Sequence, residues 1–284
     1  MKILTIDGNN LVHRVYWVAN NMATKSENLH VYMFLNSVKN YVEMYKPDKV
    51  LCVWDEKPDY KPNKRKELLD EYKGNRDKDY SKEVHDKNEI IKQFLQVLGI
   101  PSVFPQSYEA DDVIKIINDT YNNEIDSHII ITVDKDLCQL ISDKVSVYDP
   151  IRKVEINKNN FEEILKYTKN EFISVKALQG DKSDNIPGIK GFGKVKIRKF
   201  LDGNVEMTQE ETEQYQKNLE LVTLTNDKEE IDYVEEQLNA ISFDKDYEKF
   251  QELCKAFNFK QIDKNQNKWY IAFFQENRLL ELLS

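Results

Sequence analysis

Nine carboxylates stand in five short stretches of this chain: Asp7 in TIDGNN, Asp55 in VWDE, Glu109, Asp111 and Asp112 in SYEADDVI, Asp134 and Asp136 in TVDKDL, and Asp181 and Asp184 in GDKSDN. Each stretch alone has an ordinary explanation. Acids that open a helix, as EADD does ahead of Val113, Ile116 and Ile117, are favoured by capping and by the helix dipole. DKD suits a turn but not an EF-hand, because Cys138 falls where a short-range ligand belongs and Val145 where the bidentate Glu belongs. Asp181 and Asp184 have the three-residue spacing of one helix face. These local explanations leave the convergence of the acids unexplained. Two carboxylates ~4 Å apart repel by roughly 4 kcal/mol at an effective dielectric near 20, so a crowd of them must take up protons or cations. Hard oxygen donors without His or Cys select magnesium or manganese. Two such ions suit in-line displacement at phosphorus.

The elements that must bring the acids together are visible as apolar runs. KILTI (2–6), KVLCVW (49–54) and HIIITV (128–133) are rich in Ile and Val and are each followed at once by an aspartate: Asp7, Asp55 and Asp134. Such runs predict strands buried on both faces. Helical patterns lie between them, one over 31–45 with Phe34, Leu35, Val38, Val42 and Tyr45, another around Ile90, Ile91, Phe94, Leu95 and Leu98. Alternating strands and helices predict a parallel sheet with right-handed crossovers, whose ligands bind outside the carboxyl ends of the strands. All three aspartates then face one crevice.

GIKGFGKVKI (188–197) fits the start of a P-loop through Gly188, Gly193 and Lys194, but Val195 stands where the metal-holding Ser or Thr belongs and DNIP precedes it instead of a strand. A glycine-lysine turn of this kind grips a phosphate other than a nucleotide's. The net charge of −9 argues against a nucleic-acid partner, yet its distribution argues for one. Lys57, Lys61, Lys64, Arg65, Lys66, Lys73, Arg76 and Lys78 crowd 57–78, and Lys182, Lys190, Lys194, Lys196, Arg198 and Lys199 crowd 182–199.

With 284 residues, 40% hydrophobic and 32% charged, the composition is that of a soluble globular protein of one large or two unequal domains. It has no apolar run of membrane-spanning length, and MKILTIDGNN lacks a cleavage site, so a cytoplasmic protein without a membrane partner is expected. Cys52, Cys138 and Cys254 are read as reduced and buried; with His13, His30, His85 and His128 they show no zinc-site spacing.

Taken together, the motifs resemble those of the bacterial and phage 5′ nucleases, the flap endonucleases related to the 5′-exonuclease domain of DNA polymerase I. DGNNLVHR and VWD resemble the first two motifs, RKELLDEYKGNR the segment with Arg65, Tyr72, Lys73 and Arg76, and SYEADDVI, TVDKDLCQL and LQGDKSDNIPGIKGFGKVKI the remainder, in order over most of 1–201. Val133 and Asp70 depart from the usual Gly and Pro, and 205–284 match only loosely. The resemblance implies an α/β fold: a parallel-sheet PIN-like nuclease core over 1–175 with a helical arch at 56–88, and a helix-three-turn-helix duplex-binding and C-terminal helical region over 176–284. It implies a free-standing 5′-3′ exonuclease and flap endonuclease that leaves 5′-phosphate and 3′-hydroxyl ends. All nine acids are implied as ligands of two or more Mg2+ ions, which Mn2+ replaces, with Asp7, Asp55, Glu109, Asp111 and Asp112 at one region and Asp134, Asp136, Asp181 and Asp184 at a second. Lys73 and Arg76 are implied at the scissile phosphate. Arg65, Tyr72, Gly188, Gly191, Gly193, Lys194, Lys196 and Lys199 are implied at the DNA, with a K+ ion an option at the glycine turn. The implied partner is DNA with a 5′ flap, nick or single-strand/double-strand junction, bound by a monomer. Two alternatives stay open: a non-catalytic junction-binding protein and a ribonuclease acting on RNA/DNA hybrids.

Overall fold

A computed structural model describes residues 1–22, 28–55, 61–74 and 82–275, the side chains of 82–86 excepted. The chain runs β1 (Lys2–Asp7), α1 (Gly8–Asn20), α2 (Leu29–Tyr45), β2 (Lys49–Val53), α3 (Arg65–Leu68), α4 (Lys82–Val97), β3 (Ser102–Val103), α5 (Ala110–Tyr121), β4 (Ser127–Ile131), a 3-10 turn (Lys135–Leu140), β5 (Val145–Asp149) and β6 (Val154–Ile156). Helices then follow: α6 (Phe161–Leu165), α7 (Lys169–Gln179), α8 (Lys194–Leu201), α9 (Gln209–Val222), α10 (Lys228–Ala240), α11 (Tyr247–Ala256), α12 (Lys260–Asp263) and α13 (Gln266–Phe273).

Continuous apolar runs in β1, β2 and β4 leave no polar face, so each strand needs cover on both sides. The sheet order is β3-β2-β1-β4-β5-β6, all parallel except β6. Successive crossovers leave β1 in opposite directions, making its border with β4 the switch point at whose carboxyl end ligands bind. The three expected strands are β1, β2 and β4, within two residues at each end. Gly8 lets α1 begin hard against β2, where a Cβ would meet the Trp54 ring and the Val53 carbonyl oxygen at 2.8 Å.

One core lies between the sheet and α1, α2 and α4; a second lies on the other face beneath α5, α6 and α10. Residues 176–284 are expected as one duplex-binding and helical region; the described ones, 176–275, take several places. α7, α8 and α9 build two smaller apolar clusters, and α10 packs on α5. α11 to α13 instead complete the first core, where Phe250, Cys254, Phe259, Ile262, Trp269 and Phe273 join Phe34 of α2 and Phe94 of α4. Phe94 meets Phe250 edge-on at 6.0 Å and Phe259 at 5.4 Å. The three cysteines are buried and free. Among the described residues no helix is long and apolar enough to cross a membrane.

Trp269 is 2% exposed although it lies far along the chain from the strands it helps to cover. Trp269→Ala is expected to lower unfolding free energy by about 3–5 kcal/mol, as read by urea titration. A loss below about 1 kcal/mol would show that α13 is dispensable to this core.

Candidate metal and nucleic-acid site

The DGNN sequence builds the floor of the crevice. Asp7 caps α1 by accepting from Asn10 N at 3.0 Å and also accepts from Thr132 Oγ1 at 2.9 Å. Asn9 Oδ1 accepts from Asp55 N at 3.2 Å and Asn10 Oδ1 from Val133 N at 3.3 Å, so two adjacent amides tie the exits of β2 and β4 to that of β1. Asp55 Oδ1 in turn accepts from Ala110 N at 2.8 Å, docking α5. Burial, with Asp55 and Asp134 close by, pushes the Asp7 carboxyl up to about 7.

Glu109 opens α5 in a capping box with Asp112. Carboxylate oxygens of Glu109, Asp111 and Asp112 lie within 4.8 Å of one another. Asp112 is fully buried and amply bonded: its two oxygens take Arg65 Nη1 at 2.6 Å and Nη2 at 2.8 Å, Thr225 N at 2.8 Å and Glu109 N at 3.2 Å. Glu109 accepts from Tyr72 OH at 2.8 Å, from Arg65 Nη1 at 3.4 Å, and from Lys73 Nζ. Although burial opposes it, Lys73 and Arg65 hold the Glu109 carboxyl below its usual range; burial, Asp112 and Glu109 lift Asp111 well above its own.

Arg65 and Tyr72, expected at the DNA, are therefore placed differently. They are 4% and 3% exposed and grip the acids from within. Arg65 also donates to the Leu221 and Thr223 carbonyl oxygens at 3.0 and 3.2 Å, joining α3 to the end of α9.

Asp136, Asp181 and Asp184 form a second group of converging oxygens. Asp134 caps the 3-10 turn by accepting from Asp136 N at 2.8 Å. The expected helix face for Asp181 and Asp184 is not formed. Helix α7 stops at Gln179 because Gly180, at φ +71, turns the chain back, and Asp181 Oδ1 accepts from Ser183 N at 2.8 Å while Asp181 bridges to Ile186. An Asx turn thus replaces helix. Lys176, which sequence reasoning missed, inserts its ammonium between Asp136 and Asp181, 3.1 Å from the latter. Its one sequence signal is a lysine inside the apolar stretch ISVKALQ. Burial and Asp134 raise Asp136 to about 6 against the pull of Lys176.

Lys73 stands between the two groups. Its Nζ touches Glu109 and lies 3.9 Å from Asp184 Oδ1, while its backbone N donates to the Asp184 carbonyl oxygen at 3.0 Å. This lysine holds the left-handed φ of 54, a conformation that side chains rarely adopt outside constrained sites. Arg76 lies outside the described residues, as do 56–60 and 75–81 of the expected arch.

The glycine turn, 188–194, follows the second acid group along the chain. A Cβ on Gly188 would meet the Gln179 carbonyl oxygen at 2.3 Å, whereas at Gly191 (φ +82) and Gly193 it would meet nothing within 4 Å. Gly188 is thus fixed by packing, and the other two leave backbone open to a ligand. Lys194 and Lys199 of α8 are exposed; Lys196 instead lies 3.9 Å over the Phe192 ring and 2.9 Å from Glu211 Oε1.

An all-carboxylate donor set, with Asp7, Asp111 and Asp136 lifted by burial and by one another, fits hard divalent cations. Residues 2–169 match the family model of the 5′-3′ exonuclease N-terminal resolvase-like domain. The chain is 33% identical over 210 residues to the 5′-3′ exonuclease of Bacillus subtilis, covering 70% of this chain and 69% of that one. It is 32% identical over 215 residues to DNA polymerase I of Caldicellulosiruptor bescii, covering 71% of this chain but only 24% of the polymerase. In fold it is similar to the bacteriophage T5 flap endonuclease, solved with DNA and metal ions, with a TM-score of 0.66, 23% identity and coverage of 84% and 98%.

In the metal-free protein the raised Asp7 keeps a proton that the unfolded chain has released, so its contribution to stability falls as pH rises from 3.8 to about 7. Asp7→Asn, which removes that ionisation, is expected to melt several degrees above the unsubstituted protein at pH 8 in EDTA and to match it near the lower limit. Identical melting profiles across this range would show that Asp7 ionises without strain.

Proposed function

The chain belongs to the 5′-3′ exonuclease family, and on that premise we propose that it is a structure-specific nuclease hydrolysing DNA at 5′ flaps and junctions. The observation that carries this reading is the pair of carboxylate groups bridged by Lys73 at the sheet's switch point. Glu109 and Asp111, with Asp7 and Asp55 behind them, would hold one Mg2+, and Asp136, Asp181 and Asp184 a second; Mn2+ has the same ligand preferences. Ions held there supply charge to stabilise the attacking and leaving oxygens of an in-line displacement. Hydrolysis adds water across the P–O3′ bond and leaves 5′-phosphate and 3′-hydroxyl ends.

The chain's own residues divide the remaining work. Asp112, saturated by Arg65 and two backbone amides, positions the first turn of α5. Lys73 turns its ammonium from Glu109 to the scissile phosphate, where its charge meets the charge that develops on the phosphoryl oxygens. Lys176 holds the second group together by pairing with Asp136 and Asp181, and would leave that place to a bound cation. Gly191, Gly193 and the N-terminus of α8, with Lys194 and Lys199, form a helix-three-turn-helix grip on duplex phosphate. DNA in the T5 relative supports this assignment of substrate.

With Mg2+ the protein is expected to cut labelled 5′-flap DNA, and EDTA should abolish the cut. Asp134→Asn should depress cleavage far more than DNA binding. Intact flap DNA after incubation with Mg2+ and with Mn2+, despite binding, would leave a junction-binding protein. Lys73→Ala is expected to lower the single-turnover rate on the order of 10²-fold while the Kd for flap DNA stays within a few-fold, because transition-state contacts act on turnover. A normal rate at saturating enzyme would remove Lys73 from the reaction.

A further inference from the structure

The loop that delivers Glu109 to the site hangs on a helix more than a hundred residues away in sequence. Strand β3 is the sheet's edge, and among the described residues no further strand lies beyond it to pair with 104–108. Side chains of α10 take that role. Gln237 accepts from Phe104 N at 3.1 Å and donates to the Phe104 carbonyl oxygen at 2.8 Å. Seven residues earlier on the same helix, Glu230 accepts from Gln106 N at 2.7 Å through one oxygen and from Ser107 N at 2.8 Å through the other. Glu230 is 1% exposed and Ser107 5%. The Ser107 carbonyl oxygen accepts from Lys64 N at 2.9 Å, so the start of α3 is fixed to the same loop. Asp227, which caps α10, holds Lys64 Nζ at 2.7 Å.

We propose that Glu230 is a positioning residue for the first cation site: its buried carboxylate sets the height and rotation of the loop that ends at Glu109, and through it the aim of Glu109 and Asp111. The inference rests on the reading of those two acids as cation holders. Ser107 is two residues from Glu109, and both amides that Glu230 receives belong to adjacent residues of one bend. A buried amide without an acceptor is strongly disfavoured, which drives the bend to rotate toward water. Outer partners of metal ligands commonly alter affinity or activity 10–100-fold when replaced.

Glu230→Gln is the sharp test because it keeps shape and removes one acceptor: a carboxamide offers one oxygen and sets its NH2 against the other amide N–H. Mn2+ binding to the DNA-free protein, followed by electron paramagnetic resonance, is expected to weaken roughly ten-fold, with circular dichroism and duplex-DNA affinity unchanged. Flap cleavage should fall at limiting Mg2+ and recover at high Mg2+. Gln237→Ala, farther from Glu109, should shift Mn2+ affinity in the same direction by less, and it decides the matter alone if Glu230→Gln does not fold. Mn2+ affinity equal to that of the unsubstituted protein in the deciding variant overturns the proposal, even where melting temperature falls. An unsubstituted protein that binds Mn2+ but leaves flap DNA intact sinks the nuclease reading while the Mn2+ comparison still judges Glu230; one that binds no Mn2+ sinks both.

Discussion

Mutual repulsion among carboxylates is the constraint that the rest of this molecule answers. The parallel sheet gathers acids at one edge because its strands run the same way, and the energy of that gathering must be offset locally. Three kinds of group do so: a buried cation (Arg65) and two half-buried ones (Lys73 and Lys176), hydroxyls (Thr132 and Tyr72) and backbone amides at helix and turn starts (Asn10, Ala110, Asp136 and Ser183). Amides are the most economical of these, since helix starts leave N–H groups without intrahelical partners. Placing an acid at each such start serves helix and site together.

The same constraint falls on the helices behind the crevice. Residues around the crevice are held from behind by helices drawn from the second half of the sequence: α9 through its carbonyl oxygens on Arg65, α10 along the β3 edge, and α11 to α13 over the outer core. A site full of opposed charges needs rigid supports, because each group that slackens leaves a buried charge unbalanced.

Strands β1, β2 and β4, their terminal aspartates and the EADD helix start were legible in sequence because burial on both faces writes itself as unbroken Ile and Val runs. β3, with two residues, and the antiparallel β6 carry no such run. Asp181 and Asp184 were misread as one helix face because their spacing fits a helix and an Asx turn equally well; the discriminating feature was the positive φ at Gly180. Arg65 and Tyr72, expected at the DNA, lie against internal carboxylates for a reason the sequence does not show. A basic residue and an aromatic one look the same in sequence whether they face a phosphate or an internal carboxylate, and only their burial tells the two apart. Glu230 was hidden in an ordinary charged helix, since its partners are backbone groups with no sequence signature.

The lysines already seated among the acids have a consequence for how ions arrive. On the proposed reading, a divalent cation entering beside Glu109 or between Asp136 and Asp181 would meet a place held by an ammonium, so loading would be an exchange. Each exchange raises the local charge by one unit instead of two, and releases a tethered side chain that stays within reach. The protein carries its own counterions at these acids, and under that reading the work of displacing them would lower its affinity for metal. By the reciprocity of linked equilibria, whatever draws Lys73 out of the crevice tightens metal binding to the same degree that metal favours the withdrawn lysine. On the proposed reading of Lys73, a phosphate that attracted this ammonium and the ions that replaced it would be cooperative ligands, coupled through one side chain.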